Sequence, residues 1–161
     1  MTALLLGIDI GVQGAIALLN ADGSLISISD MPVLSDGPGG RRSVNAPLLA
    51  EIIFKSHASE AFVEYVGARP GEGAVGAFAF GRSRGVIEGV LGAAGIPVGF
   101  ITPAQWKRLC GLANASKDAS RSEAIRRWPA HAALFSRVMD DGRAEAALIA
   151  VAGMVRKGVI K

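Results

Sequence analysis

The sequence predicts an α/β fold in which a mixed sheet opens as an antiparallel meander and carries packed helices. Three observations predict it. Strand-length apolar runs fill the first thirty residues, with turn residues between them. Beyond residue 45, short β-rich runs alternate with stretches of helical spacing. No repeat or long linker divides the chain, and its 161 residues suffice for one domain, residues 1–161, with one good core.

The first strand opens with the apolar run Leu4-Leu5-Leu6-Gly7-Ile8 and carries an acid, Asp9, near its centre. Its unbroken apolar character is that of a strand buried on both faces. An aspartate in such a place is costly unless it is paired or holds a metal, although a turn-forming Asp at a strand end reads the same way. Gly11 and Gly14 suit a tight turn into a second strand, Ala15 to Leu19. Asp22-Gly23 is a hairpin signal, and Leu25 to Ser29 alternates as a third strand. Residues 36–42, rich in Gly and Pro and ending in Arg41-Arg42, form a loop.

Asn45 as cap and Pro47 in the first turn start a helix that runs to about His57. Ala61 to Val66 is a fourth strand and carries a second lone acid, Glu64. A loop then leads to a small-residue helix from about Ala74 that ends at Gly95. Ile96 to Ile101 is the fifth strand, and Thr102-Pro103 caps the helix that contains Trp106 and Lys107. Another helix spans about Ala119 to Arg127, and a last one runs from Arg143, just past Gly142, to about Arg156.

Composition narrows the function classes. The chain is 50% hydrophobic with a mean hydropathy of +0.38, yet no uninterrupted apolar run approaches the roughly 20 residues of a membrane span. The N-terminus does not read as a signal peptide. The lone Cys110 excludes an intrachain disulfide and a Cys-rich zinc site, and two histidines argue against a His-based one. The expectation is a reducing, cytoplasmic compartment and no membrane partner. The net charge of +3 is modest, but its basic residues cluster, as at Arg41-Arg42, Arg82 with Arg84, and Lys107-Arg108. Together such clusters can face a polyanion, while any one alone is an ordinary solvated face.

The acids are the candidate chemistry. Asp9 lies on the first strand, Glu64 on the fourth, and Asp141 and Glu145 at the start of the last helix, four apart and so on one face. If the two strands are neighbours, all four carboxylates can meet at one sheet edge. Such a cluster needs cations, and oxygen-only ligands suit Mg²⁺, with Mn²⁺ able to substitute. Two such ions a few Å apart promote phosphodiester hydrolysis. Each acid also has an ordinary reading, such as Asp141 capping the helix or Glu145 favouring its dipole. Trp106 and Trp128 read as core residues, and Cys110 as a small buried one.

These residues resemble a known family. Leu6-Gly7-Ile8-Asp9-Ile10-Gly11 with Gly14, Phe62-Val63-Glu64, Gly81 to Val86, Thr102-Pro103 with Trp106-Lys107, Lys117, and Asp141 to Ala146 occur in the order found in RuvC-type Holliday junction resolvases, particularly phage-like members. The resemblance runs nearly full length. It implies an RNase H-like fold, a mixed five-stranded sheet with helices on both faces. It also implies a homodimer that nicks opposing strands of a four-way DNA junction, in a bacterial or phage-infected cytoplasm. Asp9, Glu64, Asp141 and Glu145 would hold two Mg²⁺ ions. Lys107 and Lys117 would lie near the scissile phosphate or junction backbone, and Arg82 and Arg84 on the helix that helps form the dimer.

Two departures stand out. Typical bacterial members have two aspartates three apart at the end of the motif, whereas here Asp141 and Glu145 are four apart, which leaves Asp140 as a competing ligand. The aromatic wedge that follows the fourth-strand acid in those members is replaced near Gly67-Ala68, with Tyr65 close by. Two other classes compete. A kinase of the actin-like fold opens with a similar strand and hairpin but needs a longer chain. A catalytically weak or inactive branched-DNA-binding module would keep the fold without the cutting.

Overall fold

The computed structural model describes residues 3–161. Strands β1 (Leu4–Asp9), β2 (Ala15–Asn20) and β3 (Leu25–Asp30) form the expected meander. A short ribbon of β4 (Val33–Leu34) and β5 (Ser43–Val44) follows, then α1 (Ala46–Ser56), β6 (Glu60–Glu64), α2 (Ala74–Ala93) and β7 (Val98–Ile101). Helices α3 (Pro103–Leu109), α4 (Ala119–Arg127) and α5 (Asp141–Arg156) complete the chain. The main sheet has five strands in the order β3-β2-β1-β6-β7. The meander pairs antiparallel, while β1–β6 and β6–β7 pair parallel. This is the mixed RNase H-like architecture, with helices on both faces.

Local chemistry fixes the element ends. The Asp22 carboxylate accepts from Ser24 N at 2.8 Å and Gly23 takes φ +86°, which closes the β2–β3 hairpin. Asn45 Oδ1 accepts from Leu48 N and caps α1, and His57 ends it in the left-handed region. Thr102 and Gln105 form a reciprocal capping box on α3. Gly95, at φ +68°, ends the turn after α2. The last helix starts two residues earlier than the glycine implied, because a 3₁₀ turn over Val138–Asp140 leads directly into Asp141. The β4–β5 ribbon and the 3₁₀ segment Pro129–Phe135 had no sequence signal strong enough to anticipate.

Alternation along the strands sorts side chains between two cores. On one face Leu6 and Ile8 of β1 and Ala61 and Val63 of β6 pack with Leu49, Ile53, Ile87 and Leu91 of α1 and α2. On the other, Leu5 and Phe62 pack with Trp106, Ala124 and the small-residue surface of α5. Helix α5 lies directly on β1 because position 7 has no side chain. A β-carbon there would collide with the Ala146 carbonyl and sit 2.7 Å from Ala150 N. Gly153 makes the same allowance for the ring of Phe62.

Candidate active site

The parallel register pairs Gly7 with Phe62 and Ile8 with Val63, so one further step brings Asp9 level with Glu64. Both are the last residues of their strands, so Asp9 ends β1 rather than standing near its centre, and both point to the α5 face by the two-residue alternation. The close seating of α5 on Gly7 brings Glu145, one turn into the helix, down to the same place. Asp9, Glu64 and Glu145 each offer a carboxylate oxygen, and these oxygens lie within 4.8 Å of one another. Three parts of the chain far apart in sequence thus converge on one acidic point.

The glycines of the turn make room for the convergence. A β-carbon at Gly14 would strike the Asp9 carbonyl, and one at Gly142 would sit 3.3 Å from Asp9 Oδ2. Gly11, at φ +110°, closes the turn, with Gly14 N donating to its carbonyl at 3.1 Å.

Burial and mutual repulsion set the electrostatics. Burial, then the charges of Glu64 and Glu145, and a hydrogen bond shared with Glu64 raise the Asp9 carboxyl well above the usual range. Burial and the Glu64 charge push Glu145 up to about 7, against the opposing pull of Lys107. Glu64 is aimed by Trp106, which is fully buried and donates from Nε1 to Glu64 Oε1 at 2.9 Å. Trp106 is therefore a core residue, as expected, that also holds a carboxylate, a role its sequence context did not reveal. The donor set fits a hard divalent cation: oxygen-only, converging, and charged at a cost that such an ion offsets.

The other predicted residues divide. Lys107 lines a cavity of about 380 Å³ with Asp9, Glu64 and Glu145, and Arg69 joins it there. Arg69 was missed, its only signal being a lone cation in a Gly-rich loop. Asp141 stands beside the cluster: its Oδ1 accepts from Arg121 Nε at 2.7 Å, and its charge helps raise Glu145. It lines a wider cleft of about 1140 Å³ that also reaches Asp9 and Glu145. Asp140 is committed elsewhere. Buried to 1% exposure, it accepts from the backbone N–H and guanidinium of Arg137, with Arg143 at 3.7 Å. Lys117 sits in an exposed turn before α4 and lines neither cavity. Arg84 lies 4.2 Å over the ring of Tyr65 and pairs with Glu88, while Arg82 stands 3.8 Å from Asp36. Cys110 is buried, with its thiol pushed up to about 11 by that burial. Among the described residues, no helix is long and apolar enough to cross a membrane.

No family model and no curated protein matches the chain. Solved structures do. The chain is similar to Thermus thermophilus RuvC, 19% identical over 98% of each chain with a TM-score of 0.63. It is also similar to T. thermophilus RuvC in complex with a Holliday junction substrate, 18% identical over 99% of this chain and 98% of that one, with a TM-score of 0.66. The resemblance to RuvC-type proteins holds at the level of the fold, over almost the whole chain.

Proposed function

We propose that this protein is a divalent-cation-dependent endonuclease that resolves four-way DNA junctions, nicking opposing strands symmetrically as a homodimer. The observation that carries the reading is the convergence of Asp9, Glu64 and Glu145 within 4.8 Å, at the strand ends of a fold similar to that of RuvC. Asp9, Glu64 and Glu145 hold the cations, Mg²⁺ or Mn²⁺, with Asp141 joining them once its pairing with Arg121 is exchanged. When bound, a pair of such ions supplies positive charge to the phosphate and lowers the pKa of attacking water.

The chain's own residues do the rest. Trp106 holds Glu64 in place, so that one carboxylate is oriented before any ligand arrives. Lys107 and Arg69 place positive charge in the cavity beside the acids, where they hold a phosphate oxygen. Arg42 and Arg137 line the wider cleft and provide backbone contacts that are independent of sequence and weakened by salt. Lys117, from its exposed turn, contacts more distant junction backbone. The exposed small-residue helix α2, with Arg82 and Arg84, supplies the dimer contact.

The test is a labelled synthetic four-way junction and a matched duplex, incubated with and without Mg²⁺. Symmetric nicks in the junction alone, and only with the ion, are expected. Asp9→Asn is expected to lower cleavage by at least about 100-fold while leaving junction binding largely intact. Full activity of that variant refutes the assignment.

A further inference from the structure

The adjacent acids Asp140 and Asp141 are held in different ways. Asp140, at 1% exposure, accepts from Arg137 N at 2.8 Å and from Arg137 Nη2 at 2.7 Å. A buried carboxylate bonded this way is part of the fold, since stripping its partner would leave a charge uncompensated. Asp141, the first residue of α5, has a side chain 39% exposed at the wide cleft. Its Oδ1 accepts from Arg121 Nε at 2.7 Å. Pairing at that exposure is weak and can be exchanged. Asp141 also stands close enough to the acids for its charge to bear on Glu145, although Asp9, Glu64 and Glu145 converge without it.

Arg121 grips two acids at once. Its Nη2 donates to Asp118 and its Nε to Asp141, so one guanidinium bridges the starts of α4 and α5. Asp118 is placed to cap α4, but its carboxylate caps no backbone N–H and serves the arginine instead. A guanidinium carries five donors in a fixed fork, so one arm can change partner while Asp118 keeps the other. The helices do not depend on this bridge. Ala124 and Ile125 already pack α4 into the apolar core that α5 shares.

The anion that suits a freed guanidinium arm is a phosphate, which an arginine fork binds with charge-assisted hydrogen bonds. Lys117, exposed one residue before Asp118, adds positive charge at the same rim. The exchange leaves no charge unpaired. Asp141 passes from Arg121 to the cations, and Arg121 passes from Asp141 to the phosphate.

We propose that Arg121 is a latch on the cation site, withholding Asp141 until a phosphate of the DNA draws its Nε arm away. The proposal rests on the branched-DNA nuclease reading above. Arg121 is then a positioning residue that acts through Asp141. The fourth carboxylate joins the other three only with DNA seated, which guards against cutting before the junction is in place. By linkage, the phosphate and the second cation tighten each other's binding by the same factor.

The test uses the full-length protein, Mn²⁺ and electron paramagnetic resonance. Two Mn²⁺ ions about 4 Å apart give a spin-coupled signal, which ions scattered along DNA do not. Free wild type is expected to show single ions, and to give the coupled signal once a four-way junction is added. Arg121→Gln gives it without DNA, at a Mn²⁺ concentration at least about 10-fold below the one free wild type needs. Arg121→Lys keeps the charge but cannot grip both acids, so it lies between the two, and it carries the same test if the Gln variant does not fold. Arg121→Gln/Asp141→Asn returns to single ions. A coupled signal in free wild type at the concentration that serves Arg121→Gln overturns the latch. So do single ions in a folded Arg121→Gln, or in wild type with the junction. Absence of bound Mn²⁺ from every variant overturns the cation site and the latch together. The expected signals without cutting in Mg²⁺ uphold the latch and sink only the nuclease reading.

Discussion

The two faces of strands β1 and β6 use the same backbone for opposite ends. On the α1–α2 face every inward position is aliphatic: Leu6 and Ile8 on β1, with Ile10 just beyond its end, and Ala61 and Val63 on β6, all buried. On the α5 face the same strands read Leu5, Gly7, Asp9 and Phe62, Glu64. There a missing side chain lets a helix settle onto the sheet, and the strand ends carry acids. The first face contributes stability through apolar burial, at about 25 cal/mol per Å². The second spends stability, since Asp9 and Glu145 are held above their ordinary pKa by burial and by one another. The contrast teaches that the site is built at the expense of one face and anchored by the other.

Substitutions at adjacent positions separate the faces most sharply. Gly7→Ala drives a β-carbon into the α5 backbone, which has no flexible end to give way, and is expected to cost about 3 kcal/mol or more. It also lifts Glu145 away from Asp9, so the response of stability to Mn²⁺ disappears with it. Ile8→Ala, on the opposite face, is expected to cost about 2–4 kcal/mol by leaving a cavity, while the Mn²⁺ response stays. Urea titrations with and without the ion distinguish the two. Equal loss of the ion response in both variants would erase the distinction between the faces.

A pH series gives the next largest effect. Glu145, at about 7 in the folded protein, and Asp9, also raised, hold protons that the unfolded chain releases near its ordinary carboxylate range. The folded state therefore binds more protons between about pH 4.5 and 7, and stability falls as pH rises through that window. The melting temperature of the ion-free protein is expected to drop by about 5 °C between pH 5 and pH 8. Carboxylates lowered by their partners, such as Asp30 and Asp140, act with the opposite sign and below this window. Trp106→Phe gives the smallest change. It removes the donor to Glu64, costs about 1–2 kcal/mol, and weakens cation affinity about 10-fold, both measurable by calorimetry.

Most of the architecture was legible because its signals are local. Periodicity, the Asp22-Gly23 turn and the Asn45 and Thr102 caps each act within a few residues, and the structure uses each as read. The sequence left the neighbouring of β1 and β6 as a condition, which their parallel pairing meets. What could not be read depends on which partner a side chain takes, and most of those partners are distant in sequence. Asp140 and Asp141 are adjacent and chemically identical, yet Arg137 takes the first into a buried pairing and Arg121 meets the second at the cleft. Arg137 lies only three residues before Asp140, but the sequence does not say which of the two acids it takes. The bond from Trp106 to Glu64 spans 42 residues, and the grip of Arg143 on Asp30 spans 113. The last helix began before Gly142 because the Asp140 pairing stabilises a turn that local propensity alone would not place there.

The central claim is that three converging acids form a cation site bought with stability, and melting at pH 8 with and without Mn²⁺ tests it most directly. Wild type is expected to gain about 5 °C or more from the ion, whereas Asp9→Asn starts higher without it and gains little. A Mn²⁺ response of equal size in both proteins, or in neither, contradicts the claim.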